Sequence, residues 1–344
     1  MKVCFIVPPV TQAVSGGLSV QVTNTASALK EQGISVTLFN PWERYDWRQF
    51  DLAHIFKADY DTYNMAMFLK DSGIPYVTTP VFYATQKPFQ IRSLRNLTTL
   101  ARKAFSGIRT DLDCIHDICT YSKKVLPNTH EEKKFLEKGI EIASHKISVI
   151  PNGVEEHFQD SAPSLFIQKY GINDFILSVG NFGYRRKNML KLLEVLETID
   201  HPAVLIGKIY NNPYGTRCRK KIEKLKHVLW IDALDHDDPL LASAYAASKV
   251  FVLPSTFETP GLVALEAAVA GSNIVITPHG GPKEYFGSMA EYMDPDDIES
   301  IKGAIISALQ KEYNTALKKH ILANYSYKAI AEKIIGVYTE TANA

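Results

Sequence analysis

Cysteine is scarce in this 344-residue chain: Cys4, Cys114, Cys119 and Cys218 are the only four, and no two form a Cys-x-x-Cys pair. That excludes a disulfide framework. Cys114, His116 and Cys119 stand close in sequence, but no second Cys/His cluster completes a metal site. Cys4 falls in a predicted first strand, an ordinary place for a buried thiol. An excess of one charge is also missing. Lys and Arg total 38 against 37 for Asp and Glu, a formal net charge of +1, so bulk electrostatics give no reason to expect a nucleic-acid partner. No apolar run approaches the ~20 residues of a membrane-spanning helix. The chain begins directly with a strand-like run, Lys2-Val3-Cys4-Phe5-Ile6-Val7, and shows no signal-peptide pattern. A cytoplasmic protein is therefore expected.

What is present is an alternation of short apolar strands and amphipathic helices from end to end, the pattern of parallel sheets covered by helices. In the first half, strands are predicted at 3–7, 35–39, 52–56, 76–79, 125–126 and 147–150. A helix over 18–32 ends at Gly33, a good residue to follow a helix C-terminus. Thr129-His130-Glu131-Glu132 reads as a capping box opening a helix that stops at Gly139. The pattern restarts with strands at 175–179, 203–206, 228–231, 250–253 and 273–277. Pro151-Asn152-Gly153-Val154 and the polar stretch to Pro163 form the linker. The expected division is 1–160, 161–325 and a closing helix over 326–344. The two halves share a fold pattern without a detectable sequence repeat, and the cleft between domains is the default ligand site.

The most informative segment is Phe257-Glu258-Thr259-Pro260-Gly261-Leu262-Val263-Ala264-Leu265-Glu266. Two carboxylates, eight positions apart, bracket a Pro-Gly turn and the start of a helix, behind the strand run 250–253. The free amides at Gly261, Leu262 and Val263, with the helix dipole, suit a phosphate. Glu266, near mid-helix, is placed to accept from ribose hydroxyls, while Glu258 on the turn reaches the other end of a nucleotide-linked ligand. Two solvated glutamates are the bland alternative. Leu262, Val263, Leu265 and the run 267–270 make the helix apolar nearly all round. It should therefore be buried, and a buried glutamate needs partners.

An acid, seven residues and a second acid resemble the signature of the retaining glycosyltransferases of family 4, the glycosyl transferases group 1. This resemblance implies an α/β chain with two Rossmann-like doubly wound domains facing across a cleft (GT-B), an acceptor-binding domain first and a nucleotide-sugar-binding domain second. It also implies a last helix crossing back to the first domain. Tyr325-Ser326-Tyr327 resembles the aromatic-Ser-Trp entry to that helix, with Tyr in place of Trp. Ser15-Gly16-Gly17 resembles the family's Gly-Gly loop, where Gly16 and Gly17 let backbone approach a diphosphate or sugar. It is not a Gly-x-Gly-x-x-Gly fingerprint. In Gly180-Asn181-Phe182-Gly183-Tyr184-Arg185-Arg186-Lys187-Asn188, Lys187 matches the family's diphosphate-binding Lys, but Asn181 stands where Arg is usual. Arg185 or Arg186 is left to supply the charge. The segment 278–284 resembles a Gly-Gly-x-x-Glu turn and reads as structural, and Pro151-Asn152-Gly153-Val154 marks the end of the first domain.

The resemblance gives Glu258 and Lys187 the catalytic roles, with Glu258 at the donor sugar and Glu266 at the ribose. Transfer would proceed by front-face displacement. Many relatives carry a His after the fourth strand; here Thr79-Pro80-Val81-Phe82-Tyr83 stands instead, and Tyr83 is the candidate in the acceptor and sugar environment. His54 and His116 are not obvious substitutes. Asp-x-Asp pairs occur at Asp111/Asp113, Asp235/Asp237 and Asp294/Asp296, none after a strand beside a phosphate loop. No metal and no cofactor are expected, the nucleotide-diphosphate sugar being a co-substrate; a UDP-sugar is favoured over a GDP-sugar as the commoner donor in the family.

Ser72 to Thr110 contains no acid, yet holds Lys87, Arg92, Arg95, Arg102, Lys103 and Arg109. Ile91, Leu94, Leu97, Ala101, Phe105 and Ile108 recur there at helical spacing. A basic amphipathic helix of this kind suits an anionic membrane surface, with Arg92, Arg95, Arg102 and Lys103 as contacts. Alternatively, its stripe packs into the first domain and the cations face water. A membrane face is consistent with a glycan or polyprenyl-linked acceptor in bacterial capsule, O-antigen or exopolysaccharide synthesis. Two other readings stay open: an epimerase or hydrolase of the same fold, and an inactive donor-binding scaffold subunit.

Overall fold

The computed structural model describes residues 1–13, 16–105 and 109–342, without the side chains of 12, 13 and 101–104. Ser15, Ile108 and the side chains of Ala101, Arg102 and Lys103 therefore lie outside the described residues. The chain forms two compact units, Met1–Gly153 with Tyr327–Ala344, and Val154–Ser326. The divisions fall at 153/154 and 326/327, against the expected 160/161 and 325/326.

The first unit is built on five parallel strands, β1 (Lys2–Ile6), β2 (Ser35–Leu38), β3 (Leu52–Phe56), β4 (Tyr76–Thr79) and β5 (Lys124–Val125), in the order β2-β1-β3-β4-β5. β3 and β4 are buried along their whole length, as a parallel sheet covered on both faces requires. Alternation sorts β1 between two cores: Val3 and Phe5 join one, Cys4 and Ile6 the other. All four cysteines are buried free thiols, and burial pushes Cys114 up to about 11.

The strand expected at 147–150 is absent. Ile147 makes one bridge to Val125, and Ile150 N–H donates to Pro127 C=O at 2.9 Å, but Pro127 has no N–H to continue the ladder. Thr129 does open a helix, accepting from Glu132 N–H at 2.9 Å. That helix, His130–Phe135, passes into a π-helical turn, Leu136–Ile140. Glu132 carries a tertiary duty as well, accepting from the amides of Asn128 and Phe82, both at 2.7 Å. The closing helix Tyr327–Ala342 lies against the helix Gly17–Glu31. Tyr338 Oη meets His54 Nδ1 at 2.6 Å, and His54 Nε2 meets Thr79 Oγ1 at 2.9 Å. His54 is thus a packed core group that ties the last helix to β3 and β4.

The basic helix runs over Pro88–Ala104, but the stripe predicted for it divides. Ile91 is buried, whereas Leu94, Leu97 and Phe105 are exposed. Arg95, expected on an outward cationic face, turns inward with only 12 % of its side chain exposed and pairs with Glu141. Arg92 also pairs with Glu141, at 2.9 Å. Glu141, outside the acid-free stretch in sequence but close in space, draws both arginines to it.

The second unit holds β6 (Phe175–Val179), β7 (Ala203–Ile206), β8 (Val228–Ile231), β9 (Ser248–Leu253), β10 (Asn273–Ile276) and β11 (Glu291–Tyr292), in the order β11-β10-β9-β6-β7-β8. β11, two half-buried residues, is too short to show a period in sequence. The topology reverses between β6 and β9, and ligands of open parallel sheets bind outside the carboxyl ends of the strands at such a point. The loops leaving β6 and β9 are the two motif segments singled out above.

Candidate nucleotide-sugar site

β9 ends at Leu253, and the chain turns through Glu258 and Gly261 into the helix Leu262–Ala270. Ala264, Leu265, Ala267, Ala268 and Val269 are all buried, each large apolar side chain contributing ~1.5–3 kcal/mol. The turn is held from outside by the loop after β10. Glu258 N–H donates to His279 C=O at 3.1 Å, and Gly281 N–H donates to Glu258 C=O at 2.8 Å. A Cβ at Gly280, which has φ +92°, would lie 2.0 Å from the Glu258 carbonyl oxygen, so no other residue fits. Gly261, at φ +84°, turns the chain into the helix, whose first-turn amides are left out of its own ladder.

The loop leaving β6 brings cations to this turn. Arg185–Lys187 form a short 3₁₀ turn closed by Asn188 in the left-handed region, φ 54°. Asn188 Nδ2 donates to Pro295 C=O at 2.6 Å. Lys187 Nζ donates to Glu258 Oε1 at 2.6 Å, and Arg186 Nη1 reaches the same oxygen at 3.3 Å. Arg186 also donates to Phe257 C=O at 2.9 Å, with its guanidinium 4.9 Å from the Phe257 ring centre. Of the two neighbouring arginines, Arg186 is the one at the turn. Burial would push the Glu258 carboxyl up, but Lys187 and Arg186 beside it hold it below its ordinary value. Two cations against one carboxylate leave a local charge of +1, and Lys187 keeps two further N–H donors.

Glu266, only 5 % exposed, points into a second polar group. Its Oε2 accepts from Tyr245 Oη at 2.8 Å, and His236 Nδ1 lies 3.8 Å from its Oε1. The other imidazole nitrogen bonds Glu155. Burial raises the Glu266 carboxyl above its ordinary value despite the opposing pull of His236 and the Tyr245 hydroxyl. The hydrogen bond to Glu155, reinforced by Glu266, raises His236 against burial. Sequence reasoning found Glu266 but not Tyr245, His236 or Glu155. His236 was hidden between two Asp-x-Asp aspartates, and Glu155 directly follows the Pro-Asn-Gly-Val segment.

The remaining candidates lie in the first unit. Gly16 caps the helix Gly17–Glu31 in an extended conformation any residue adopts, and a Cβ there would meet open space. Packing thus leaves room over the loop where the glycines were singled out. Tyr83 is half-buried against Phe135, ring centres 5.8 Å apart. With Lys57, Asp59, Asp61, Phe82 and Asp111 it lines a cavity of about 420 Å³.

Two of the three Asp-x-Asp pairs carry structural bonds. Asp113 accepts from Thr110 N–H and Oγ1, both at 2.9 Å; Asp294 accepts from Asp296 N–H at 2.8 Å; and Asp296 pairs with Lys191 at 2.8 Å. Among the described residues, Glu155, His236 and Asp237 bring ligand-type atoms within 4.8 Å of one another, and a hydrogen bond joins the first two. No helix among the described residues is long and apolar enough to cross a membrane.

Residues 166–335 match the family model described as glycosyl transferases group 1. An uncharacterized glycosyltransferase of Methanocaldococcus jannaschii is 27 % identical over 212 residues, 56 % of this chain and 54 % of that protein. The O-antigen chain mannosyltransferase B of Escherichia coli is 28 % identical over 188 residues, 50 % of this chain and 48 % of that protein. The matches thus span about half the length of these curated relatives. In three dimensions, the sucrose-phosphate synthase of Thermosynechococcus elongatus is similar with a TM-score of 0.78 at 17 % identity, covering 98 % of both chains. Anabaena HepE in complex with UDP-glucose is similar with a TM-score of 0.72 at 16 % identity, covering 99 % of this chain and 100 % of that one. The strand–turn–helix with Glu258 and Glu266 therefore lies inside the stretch that matches the glycosyl transferases group 1 model, residues 166–335, in a chain with the two-domain Rossmann-like GT-B fold.

Proposed function

We propose that this chain is a retaining glycosyltransferase that moves a sugar from a nucleotide-diphosphate sugar to a hydroxyl of a glycan or lipid-linked glycan. The observation that carries the reading is the arrangement at the carboxyl end of β9. Two carboxylates more than nine-tenths buried stand on one turn and helix, with Lys187 and Arg186 against the first of them. Buried charge of this kind is costly, and its concentration at the switch point of the sheet favours a working site over a packing accident.

In this reading Glu266 accepts from the ribose hydroxyls. Lys187, Arg186 and the amides at Gly261–Val263 hold the diphosphate. Glu258 stabilises positive charge growing on the donor ring as the bond from its anomeric carbon to the phosphate oxygen breaks. The acceptor oxygen bonds to that carbon on the same face, and its proton passes to the leaving phosphate oxygen. Two cations and a helix N-terminus neutralise the departing diphosphate without a metal ion. The UDP-glucose complex of the HepE neighbour favours a uridine donor. The O-antigen chain mannosyltransferase relative supports reading the acceptor as a glycan of bacterial surface polysaccharide synthesis.

Mixing the protein with UDP-sugars and glycan acceptors, and reading release of UDP together with the anomeric configuration of the product, tests this. Acceptor-dependent UDP release with retention is expected. Donor turnover without acceptor would indicate the epimerase or hydrolase, and donor binding without any turnover the scaffold subunit.

A further inference from the structure

The helix Pro88–Ala104 is amphipathic in the reverse sense to a core helix. Its packed side carries Ile91, buried at 3 % exposure, and Arg95, and lies against Leu136–Ile140. A Cβ at Gly139 in that turn would stand 3.4 Å from Ile91 Cβ, so the two segments are in close contact. Phe89, Leu94, Leu97 and Leu100 point the other way, at 63, 54, 64 and 62 % exposure, and Phe105 follows at 65 %. At 3.6 residues per turn the four helical residues occupy an arc of about 140°. Large apolar side chains exposed singly need no explanation, but a contiguous row of this size marks a surface that something covers.

The charge beside the row identifies the cover. A groove of about 880 Å³ runs along its edge, lined by Lys87, Phe89, Arg92, Lys134, Lys138 and the two acids Glu137 and Glu141, among others. Glu141 is matched by Arg92 and Arg95, and Glu137 by Lys133 at 3.7 Å. Lys87, Lys134 and Lys138 are exposed and have no acidic partner among the described residues. Four cations against two acids leave the groove with a charge of +2. An apolar row for the acyl boundary and unmatched lysines beside it for phosphate are the two requirements of a helix lying in the plane of an anionic bilayer. A protein partner would need acids to meet those lysines, and a second copy of this face would set lysine against lysine.

We propose that this face docks on an anionic lipid bilayer, with Phe89, Leu94, Leu97, Leu100 and Phe105 entering the headgroup boundary and Lys87, Lys134 and Lys138 meeting lipid phosphate. The inference does not depend on the glycosyltransferase reading. The test is co-sedimentation of the full chain with phosphatidylcholine vesicles, alone or with about a third phosphatidylglycerol. Leu97→Ser/Leu100→Ser and Lys87→Glu/Lys134→Glu/Lys138→Glu serve as variants; all five positions are exposed, so unchanged melting serves as the folding control. The parent should pellet with the anionic vesicles and not with phosphatidylcholine alone, and each variant should lose about tenfold or more in partitioning. Failure of the parent to bind anionic vesicles, or undiminished binding of the leucine variant, overturns the proposal. So does a concentration-dependent dimer of the parent that the leucine variant dissolves, which would give the face to a second copy. UDP binding should be the same in all three proteins, whichever way the vesicles decide.

Discussion

Lys187 Nζ stands 2.6 Å from Glu258 Oε1 although 71 positions separate them in the chain. One residue leaves β6 and the other leaves β9, neighbouring strands on either side of the reversal in strand order. The pair holds a buried carboxylate ionised beside the turn that opens the helix Leu262–Ala270. On the proposed reading this is the group that stabilises the donor ring. Glu258→Gln should cut kcat by about 100-fold while leaving UDP affinity within about threefold. Steady-state rates and isothermal titration check the two halves separately. A loss of UDP affinity with kcat unchanged would mean that Glu258 serves binding alone.

Gly280 is predicted to be as intolerant as any catalytic residue. A Cβ there would sit 2.0 Å from the Glu258 carbonyl oxygen, at a φ of +92° that side chains avoid. Gly280→Ala should push the Glu258 turn out of place and cost about 2–4 kcal/mol of stability in the second unit. Gly16→Ala, with open space above it, should leave melting unchanged. Thermal melts with and without UDP distinguish the two.

Donor binding should weaken at acid pH. Glu266 serves as a hydrogen-bond acceptor while ionised, and its carboxyl is raised by burial, with His236 pulling it back down. Glu155, Asp237 and Glu266 are the acids that face His236 and raise it above its ordinary value. Affinity for UDP should therefore fall as pH drops through the raised Glu266 value. In His236→Gln the fall should begin at higher pH, because the cation that favours the carboxylate has gone. Titration calorimetry across pH 5–8 measures this; a pH profile identical to the parent's would remove His236 from the account.

His54 makes an acid-labile contribution to the first unit. Burial lowers its imidazole from 6.5 to about 3, so between those values the unfolded chain binds a proton that the folded chain refuses. The contribution is therefore present above the unfolded value and lost as pH falls below it. By pH 5 the loss is about 2 kcal/mol relative to pH 7. Denaturant unfolding at the two pH values should show this difference shrinking by that amount in His54→Gln. An unchanged difference would mean that the imidazole takes up its proton in the fold.

Most of the strand positions were legible because the buried parallel strands read as unbroken apolar runs of Val, Ile, Leu and Phe. The two acids and Lys187 were legible because each sits on a loop with its own local pattern. What periodicity cannot carry is which loop meets which. The Glu258–Lys187 contact, the clamp from Gly280 and the group of Tyr245, His236 and Glu155 around Glu266 all depend on chain crossings. The stripe on Pro88–Ala104 was visible, but its direction was not. Sequence spacing places Ile91 beside Leu94 and Leu97, and only the Glu141 that draws in Arg95 and Arg92 decides which side packs.

The central claim is that the turn and helix from Glu258 to Glu266 hold a nucleoside diphosphate. It is tested most directly by thermal shift of the parent chain and Glu266→Ala with UDP, GDP, ADP and CMP, with and without magnesium. A ligand at a hundredfold its dissociation constant stabilises by about 2.7 kcal/mol, a shift of a few degrees. The account predicts a shift with one diphosphate, UDP first, that is indifferent to magnesium and absent in Glu266→Ala. No shift with any nucleotide, or a shift that survives in Glu266→Ala, would contradict it.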